Sequence, residues 1–155
     1  MAMRWIMASL LILLASACTV RKPTERAPVL AVYSHTSAAQ VVGALMAILA
    51  EERIPVSARS TGGATIVTDS FEVLPEYCDC GRNFFGAEYP GIRRGQMKFT
   101  VADGGTARVK IEFATLLTIT ANNKHVHCTS FGILEEKLLK RLEGRLGTAR
   151  LNAQN

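Results

Sequence analysis

The sequence predicts an α+β domain in which a curved, hairpin-rich antiparallel sheet packs against an N-terminal and a C-terminal helix. Apolar and polar residues alternate on both sides of Gly104-Gly105, which is the period of strands with one buried face. Apolar residues recur instead at helical spacing in residues 38–53 and 131–146. Helices packed on one sheet would bury all of these apolar surfaces together.

A strand and a helix begin the domain. The apolar run at residues 29–33 indicates a strand, and Thr36 or Ser37 can cap the helix that follows. The buried stripe of this helix is predicted to comprise Val41, Val42, Leu45, Ile48 and Leu49. Residues 54–58 and 64–73 are then predicted as strands, joined by a turn at Gly62-Gly63.

Residues 75–95 have no clear period. They include prolines, glycines, Cys78, Cys80 and the aromatic side chains of Phe84, Phe85 and Tyr89. A loop of this length is uncommon in a compact domain and is often either functional or cross-linked. The aromatic side chains are expected to close over the core or, as the alternative, to form a patch that binds a partner.

The central hairpin has a register that the alternation can predict. A two-residue turn at Gly104-Gly105 would place Val101 and Arg108 on the same face. Since a one-residue slip turns a whole face over, we expect an odd-length loop at residues 103–105, with a glycine at positive φ. The predicted pairs are Val101 with Ala107, Phe99 with Val109, and Met97 with Ile111.

The second hairpin strand would be unusually long, because its alternation continues to residue 121. A bend or a division is therefore expected near residues 114–116. After a turn at Asn122-Asn123, residues 124–128 are predicted as an edge strand. Thr129 or Ser130 is predicted to cap the last helix, whose buried stripe comprises Leu134, Leu138 and Leu142.

The N-terminus has the order of a secretory signal peptide: Arg4, an almost wholly apolar run, and small residues. This run is about half of the roughly 20 residues that a bilayer span needs, so we expect cleavage. The predicted units are a signal peptide at 1–17, a lipidated tether at 18–28, a single domain at 29–147 and a flexible tail at 148–155.

The cleavage region resembles the lipobox of bacterial lipoproteins, and it reads Leu14-Ala15-Ser16-Ala17-Cys18. Leu usually stands three places before the cysteine, where Ala15 stands here. The resemblance implies acyl chains such as palmitate on Cys18, and two or more chains give stable anchoring. Thr19 stands where Asp would signal inner-membrane retention, so the resemblance implies the outer membrane, with the domain facing the periplasm.

The order of elements behind the lipobox resembles helix-grip lipoproteins of the BamC type. The matching features are the hairpin-rich middle and a C-terminal helix that follows Cys128-Thr129-Ser130 and runs through Leu134-Glu135. Cys78 and Cys80 depart from that family. The resemblance implies a scaffolding or interaction module with an envelope protein as partner. It implies neither catalytic residues nor a cofactor beyond the covalent lipid on Cys18.

Composition agrees with a globular domain beside a membrane. Hydrophobic residues make up 48% of the chain, charged residues 20%, and the net charge is +5. Modest basicity suits an anionic lipid surface. A nucleic-acid partner is not expected, because no dense basic stripe is interleaved with aromatic residues.

Cysteine and histidine residues are the candidates for chemistry. Thiols and imidazoles are ligands that zinc and copper prefer. An exported protein, however, meets an oxidising compartment, which favours a disulfide. A Cys78–Cys80 bridge would close a very small ring, so Cys128 is expected to pair with one of these two cysteines. The predicted disulfide is Cys80–Cys128, because Gly81 beside Cys80 gives the backbone freedom to reach, with Cys78 as the alternative partner.

Three functions are therefore weighed from the sequence. The first is a non-enzymatic interaction module of the cell envelope. The alternative is a periplasmic metal-binding or thiol-redox protein that uses Cys78, Cys80, His125, His127 and Cys128. A third is a protein that binds a lipid or another apolar ligand between the sheet and a helix.

Overall fold

A computed structural model describes residues 28–60, 64–83, 85–102, 106–147 and 150–152. The predicted α+β class is confirmed, since a curved antiparallel sheet carries one helix early in the chain and one late. The predicted signal peptide, Cys18, and the turns at Gly62-Gly63 and Gly104-Gly105 lie outside the described residues.

The sheet is built around a long central hairpin. Its strands run in the order β2-β3-β6-β7-β1-β9, while β4 pairs with β6, β8 with β7, and β5 with β8. The elements are β1 Val29–Ser34, α1 Ala38–Glu51, β2 Val56–Arg59, β3 Thr65–Thr68, β4 Phe71–Glu72, a 3-10 turn at Pro75–Tyr77, β5 Cys78–Asp79, β6 Gly91–Ala102, β7 Thr106–Ile119, β8 His125–Ser130, α2 Ile133–Leu146 and β9 Arg150–Asn152.

Helix α1 begins where the sequence predicted. Ser37 is the N-cap, and its hydroxyl accepts a hydrogen bond from the Gln40 N–H while the Gln40 side chain accepts one from the Ser37 N–H. The predicted apolar stripe is buried as a whole. The helix ends slightly early, at Glu51, because Arg53 takes a left-handed conformation and turns the chain into β2.

Helix α2 begins later than predicted, and its predicted cap is wrong. Thr129 and Ser130 belong to β8, and Gly132 at φ 79° is the N-cap. The backbone is held extended up to this point because the Phe131 N–H donates to the Tyr77 carbonyl. The Ser130 hydroxyl instead accepts a hydrogen bond from the Gly132 N–H.

The central hairpin buries the predicted faces but pairs different residues. Val101 lies opposite Val109 and Phe99 opposite Ile111, so the predicted partners of both are wrong. Met97 likewise pairs with Phe113. Alternation specifies which side a residue faces, and a shift by an even number of residues preserves that side. The faces were therefore correct although the register was not.

Several strand boundaries also differ from the prediction. Strand β7 runs undivided from Thr106 to Ile119, because β6 begins at Gly91 and pairs along it. The segment predicted as one strand at 64–73 is split into β3 and β4. Within the predicted tail, Arg150–Asn152 forms β9 and pairs with β1.

Two apolar clusters in the described residues share the inner face of the hairpin. The main core joins α1 and α2 to this face around Phe99 and Ile111. The second core lies farther along the same face, around Leu117, and is covered by side chains from residues 73–89 and from β8. Phe113 packs against both clusters.

Candidate functional site

Cys78, Cys80 and Cys128 form a buried group in the second core, called the sulfur cluster below. Their Sγ atoms all lie within 4.8 Å of one another. Strand β5 makes this possible by pairing with the end of β8, so that Cys78 lies opposite Ser130 and Asp79 opposite Thr129. The segment that lacked a period in the sequence is thereby tied to the sheet.

The Sγ atoms of Cys80 and Cys128 are 2.05 Å apart, at disulfide distance. This is the pair that the sequence favoured over a bridge from Cys78. Strand pairing explains the choice, because extending the β5–β8 register by one step places Cys80 directly opposite Cys128, with Cα atoms 4.1 Å apart. The sequence reasoning had only the flexibility of Gly81 to distinguish the two cysteines.

Cys78 keeps a thiol beside this bridge. Its Sγ lies 3.9 Å from that of Cys80, and the residue is 3% exposed. Burial raises the pKa of the Cys78 thiol, and a hydrogen bond with Thr115 and the positive charge of Arg93 partly oppose the rise. A raised pKa keeps the group protonated at neutral pH and therefore weakly nucleophilic.

Arg93 is the member of the site that sequence reasoning missed. It lies on the inner face of β6 with only 10% of its side chain exposed, and its guanidinium pairs with Glu88 at 2.8 Å. Its Nε atom is buried and meets no hydrogen-bond acceptor among the described residues. The signal was present in the sequence, because Arg93 continues the inward series of Met97 and Phe99 toward the N-terminus of the strand.

The histidines are not part of the sulfur cluster. His125 and His127 are exposed, whereas Val126 and Cys128 are partly buried on the other face of β8. The His125 Nδ1 atom lies 3.1 Å from the Thr118 hydroxyl oxygen. The predicted combination of cysteines with His125 and His127 is therefore not assembled. Period-two alternation along β8 could have separated the two sets from sequence alone.

The cluster has two chemical states with different capabilities. With Cys80 and Cys128 joined, Cys78 is the remaining thiol and the cluster acts as a covalent staple of the second core. With that bond reduced, the sulfur atoms are close enough to bind one soft metal ion as thiolates. Metal binding would therefore require the disulfide to be opened first.

No family model matches the chain, and no curated protein matches its sequence. Among the described helices, none combines the length and apolar character required to span a bilayer.

Proposed function

We propose that the chain is a lipoprotein of the bacterial outer membrane, anchored through lipids on Cys18 and facing the periplasm. Its folded domain would act as a non-enzymatic interaction or scaffolding module. The observation that supports export, on which this proposal depends, is the Cys80–Cys128 pair at disulfide distance. Disulfides persist in oxidising compartments such as the periplasm, which agrees with the export signal and the lipobox.

An exposed aliphatic pair supports the interaction role. The Val73 N–H donates to the Arg93 carbonyl, which extends the β4–β6 ladder and places Leu74 opposite Ile92. Leu74 is 55% and Ile92 56% exposed, on the face of the sheet that α1 and α2 do not cover. Contiguous exposed apolar patches mark surfaces where proteins meet, and Leu74 and Ile92 would be the centre of such a patch. We therefore assign the envelope partner to this face.

Anchoring is tested by Cys18→Ser. The variant should lose membrane retention and accumulate as an unprocessed precursor, because the thiol is the site of acylation. Cys78→Ser is the matched control and should fractionate with membranes like the wild-type protein. Normal processing of the Cys18 variant, with the product still sedimenting with membranes, would refute the lipoprotein assignment.

The interaction face is tested by site-specific photocrosslinking in intact envelopes. A photoreactive residue at Ile92 should yield a discrete crosslinked protein, whereas one at Lys140, exposed on α2, should not. Leu74→Asp should abolish the Ile92 crosslink without unfolding the domain. Equal crosslinking from both positions would count against a specific surface at Leu74 and Ile92.

The sulfur cluster favours a second candidate function, a metal-binding or thiol-redox protein that uses Cys78, Cys80 and Cys128. Purified protein would be reduced, dialysed against zinc or copper(I) and analysed for bound metal. This second function requires the reduced wild-type protein to bind at least one equivalent of metal and the Cys78→Ser variant to lose that metal. Less than one tenth of an equivalent in the reduced wild-type protein would exclude the metal form of this reading.

A further inference from the structure

In the described part of the chain, the sheet has a gap on one side of β7. Strand β6 pairs with β7 along nearly its whole length, whereas the other side is divided between β1 and β8. Pairing with β1 ends at Ile111, and pairing with β8 begins at Thr115. Residues 112–114 therefore lack a neighbouring strand on that side among the described residues. We call this gap the notch.

A cavity of about 470 Å³ opens at the notch. This volume lies within the range of sites that bind small molecules, about 300–1,000 Å³. The cavity lies between the ends of β1 and β8, beside the first turn of α2. Its walls include Pro28, Phe113, Ala114, Thr129, Ser130 and Glu135.

Glu135 gives the cavity its chemistry. It lies in the first turn of α2, is 5% exposed, and its Oε2 atom is buried with no hydrogen-bond partner in the described part of the chain. A buried carboxylate without a donor is costly, so such groups are normally paired. The partial positive charge of the helix N-terminus favours the carboxylate but has not supplied a hydrogen bond to Oε2.

Neighbouring side chains do not meet this need. Glu112, the other acid of the cavity wall, is paired with Lys110 at 2.7 Å and with Lys98 at 3.8 Å. The Ser130 hydroxyl accepts a hydrogen bond from the Gly132 N–H and donates none to Oε2 of Glu135. A divalent metal ion would require further oxygen or nitrogen ligands beside Glu135, and Glu112 is already ion-paired.

We infer that the notch binds a singly charged nitrogen cation, an alkylguanidinium or alkylammonium group. Its N–H groups would donate to the Glu135 carboxylate, and its hydrocarbon part would lie along Phe113 and Pro28. Two sources can supply this chemistry: a separate molecule, or the chain's own basic residues Arg21, Lys22 and Arg26 just before Pro28. The inference does not depend on lipidation or on an envelope partner.

The experiment titrates n-butylguanidinium chloride into the full chain in mild detergent and follows binding by calorimetry, with tetramethylammonium chloride as the salt control. Binding should be saturable in the wild-type protein and at least ten-fold weaker in Glu135→Gln. Glu136→Gln, on the exposed side of the same helix turn, should bind like the wild type.

A tether variant distinguishes the two sources. If Arg21, Lys22 or Arg26 fills the notch, the wild-type chain should bind the probe weakly, and the triple change of these residues to Gln should expose a site that Glu135→Gln abolishes. If the ligand is a separate molecule, the triple variant should bind like the wild type. Either result supports the site.

A second variant tests the site independently in case Glu135→Gln does not fold. Ala114 is exposed at the notch, so Ala114→Leu should narrow the cavity and weaken probe binding without disturbing the core. The inference is overturned if neither the wild type nor the triple variant binds the probe saturably. It is also overturned if Glu135→Gln and Ala114→Leu both bind with wild-type affinity.

Discussion

The two halves of the β6–β7 hairpin bury the same face by different means. Around Phe99 and Ile111 the covering is provided by α1 and α2, whose apolar stripes repeat with the period of a helix. Around Leu117 the covering is an aperiodic segment that is tied to β8 by the cysteine pair. The comparison shows that a short segment without regular secondary structure can cover a core when a covalent link and a few specific contacts hold it in place.

The largest effect is expected in the helix-covered half. Phe99 is completely buried, so Phe99→Asp should leave the domain unfolded, since burying a charge adds to the several kcal/mol of lost packing. Lys98→Asp, on the outer face of the same strand, should fold. Circular dichroism and urea unfolding provide the measurement. Similar tolerance at both positions would show that this stretch of the chain is not a strand with one buried face.

Removing the cross-link should affect mainly the other half. The Cys80→Ala/Cys128→Ala double variant should lose about 4 kcal/mol of the free energy of unfolding, by the chain-entropy estimate for this sequence separation of 48. Amide exchange should accelerate in β5 and β8 more than in β1. Cys78→Ala is the matched control, with a cost of about 1 kcal/mol for a small buried truncation.

The pairing itself is checked by non-reducing peptide mapping of protein recovered from the periplasm. Cys128 should be found joined to Cys80. Recovery of Cys128 as a free thiol would show that no disulfide ties the aperiodic segment to β8, and it would favour the metal-binding alternative.

A smaller effect is expected where the two halves meet. A Cβ atom at Gly95 would lie 2.5 Å from the ring of Phe113 and 2.6 Å from a methyl group of Val73. Gly95→Ala should therefore destabilise the domain by about 1–3 kcal/mol through overpacking. Gly43→Ala, on the exposed side of α1 with open space around it, should stabilise by about 0.5–1 kcal/mol. If Gly95→Ala and Gly43→Ala both have small effects in thermal unfolding, the side chains of Phe113 and Val73 can move aside to accommodate the added methyl group.

The smallest predicted effect concerns an ion network found in the helix-covered half. Glu52 at the end of α1 accepts hydrogen bonds from Lys137, at 2.7 Å, and from Arg141 on α2, and these lower the pKa of its carboxyl group. A lowered pKa stabilises the fold above the ordinary value of 4.5, and this stabilisation is lost as the pH falls through the folded-state pKa. Its size should be at most about 1 kcal/mol.

Glu52→Gln should therefore lower the melting temperature slightly at pH 7 and leave it nearly unchanged at pH 3. The neighbouring Glu51→Gln change provides the comparison, because Glu51 pairs with Arg141 and Arg145 in the same network. An effect of Glu52→Gln that is equal at both pH values would show that the contribution is not electrostatic.

The sequence by itself determined the inward faces of β6 and β7, the apolar stripe and Ser37 cap of α1, and the absence of a period in residues 75–95. These features are local, since side-chain direction follows a period of two in strands and 3.6 in helices whatever the partner is. Ring size argued against a bridge between Cys78 and Cys80 and so favoured Cys128 as a partner, whereas the choice of Cys80 over Cys78 rested only on the backbone freedom of Gly81.

Only the tertiary structure decided which residues meet across the chain. The pairing of Phe99 with Ile111, the position of Cys80 opposite Cys128, and the burial of Glu135 beside the notch all depend on contacts between distant segments. Local periodicity does not specify these contacts, because an even shift in register or a later helix start leaves every local pattern unchanged.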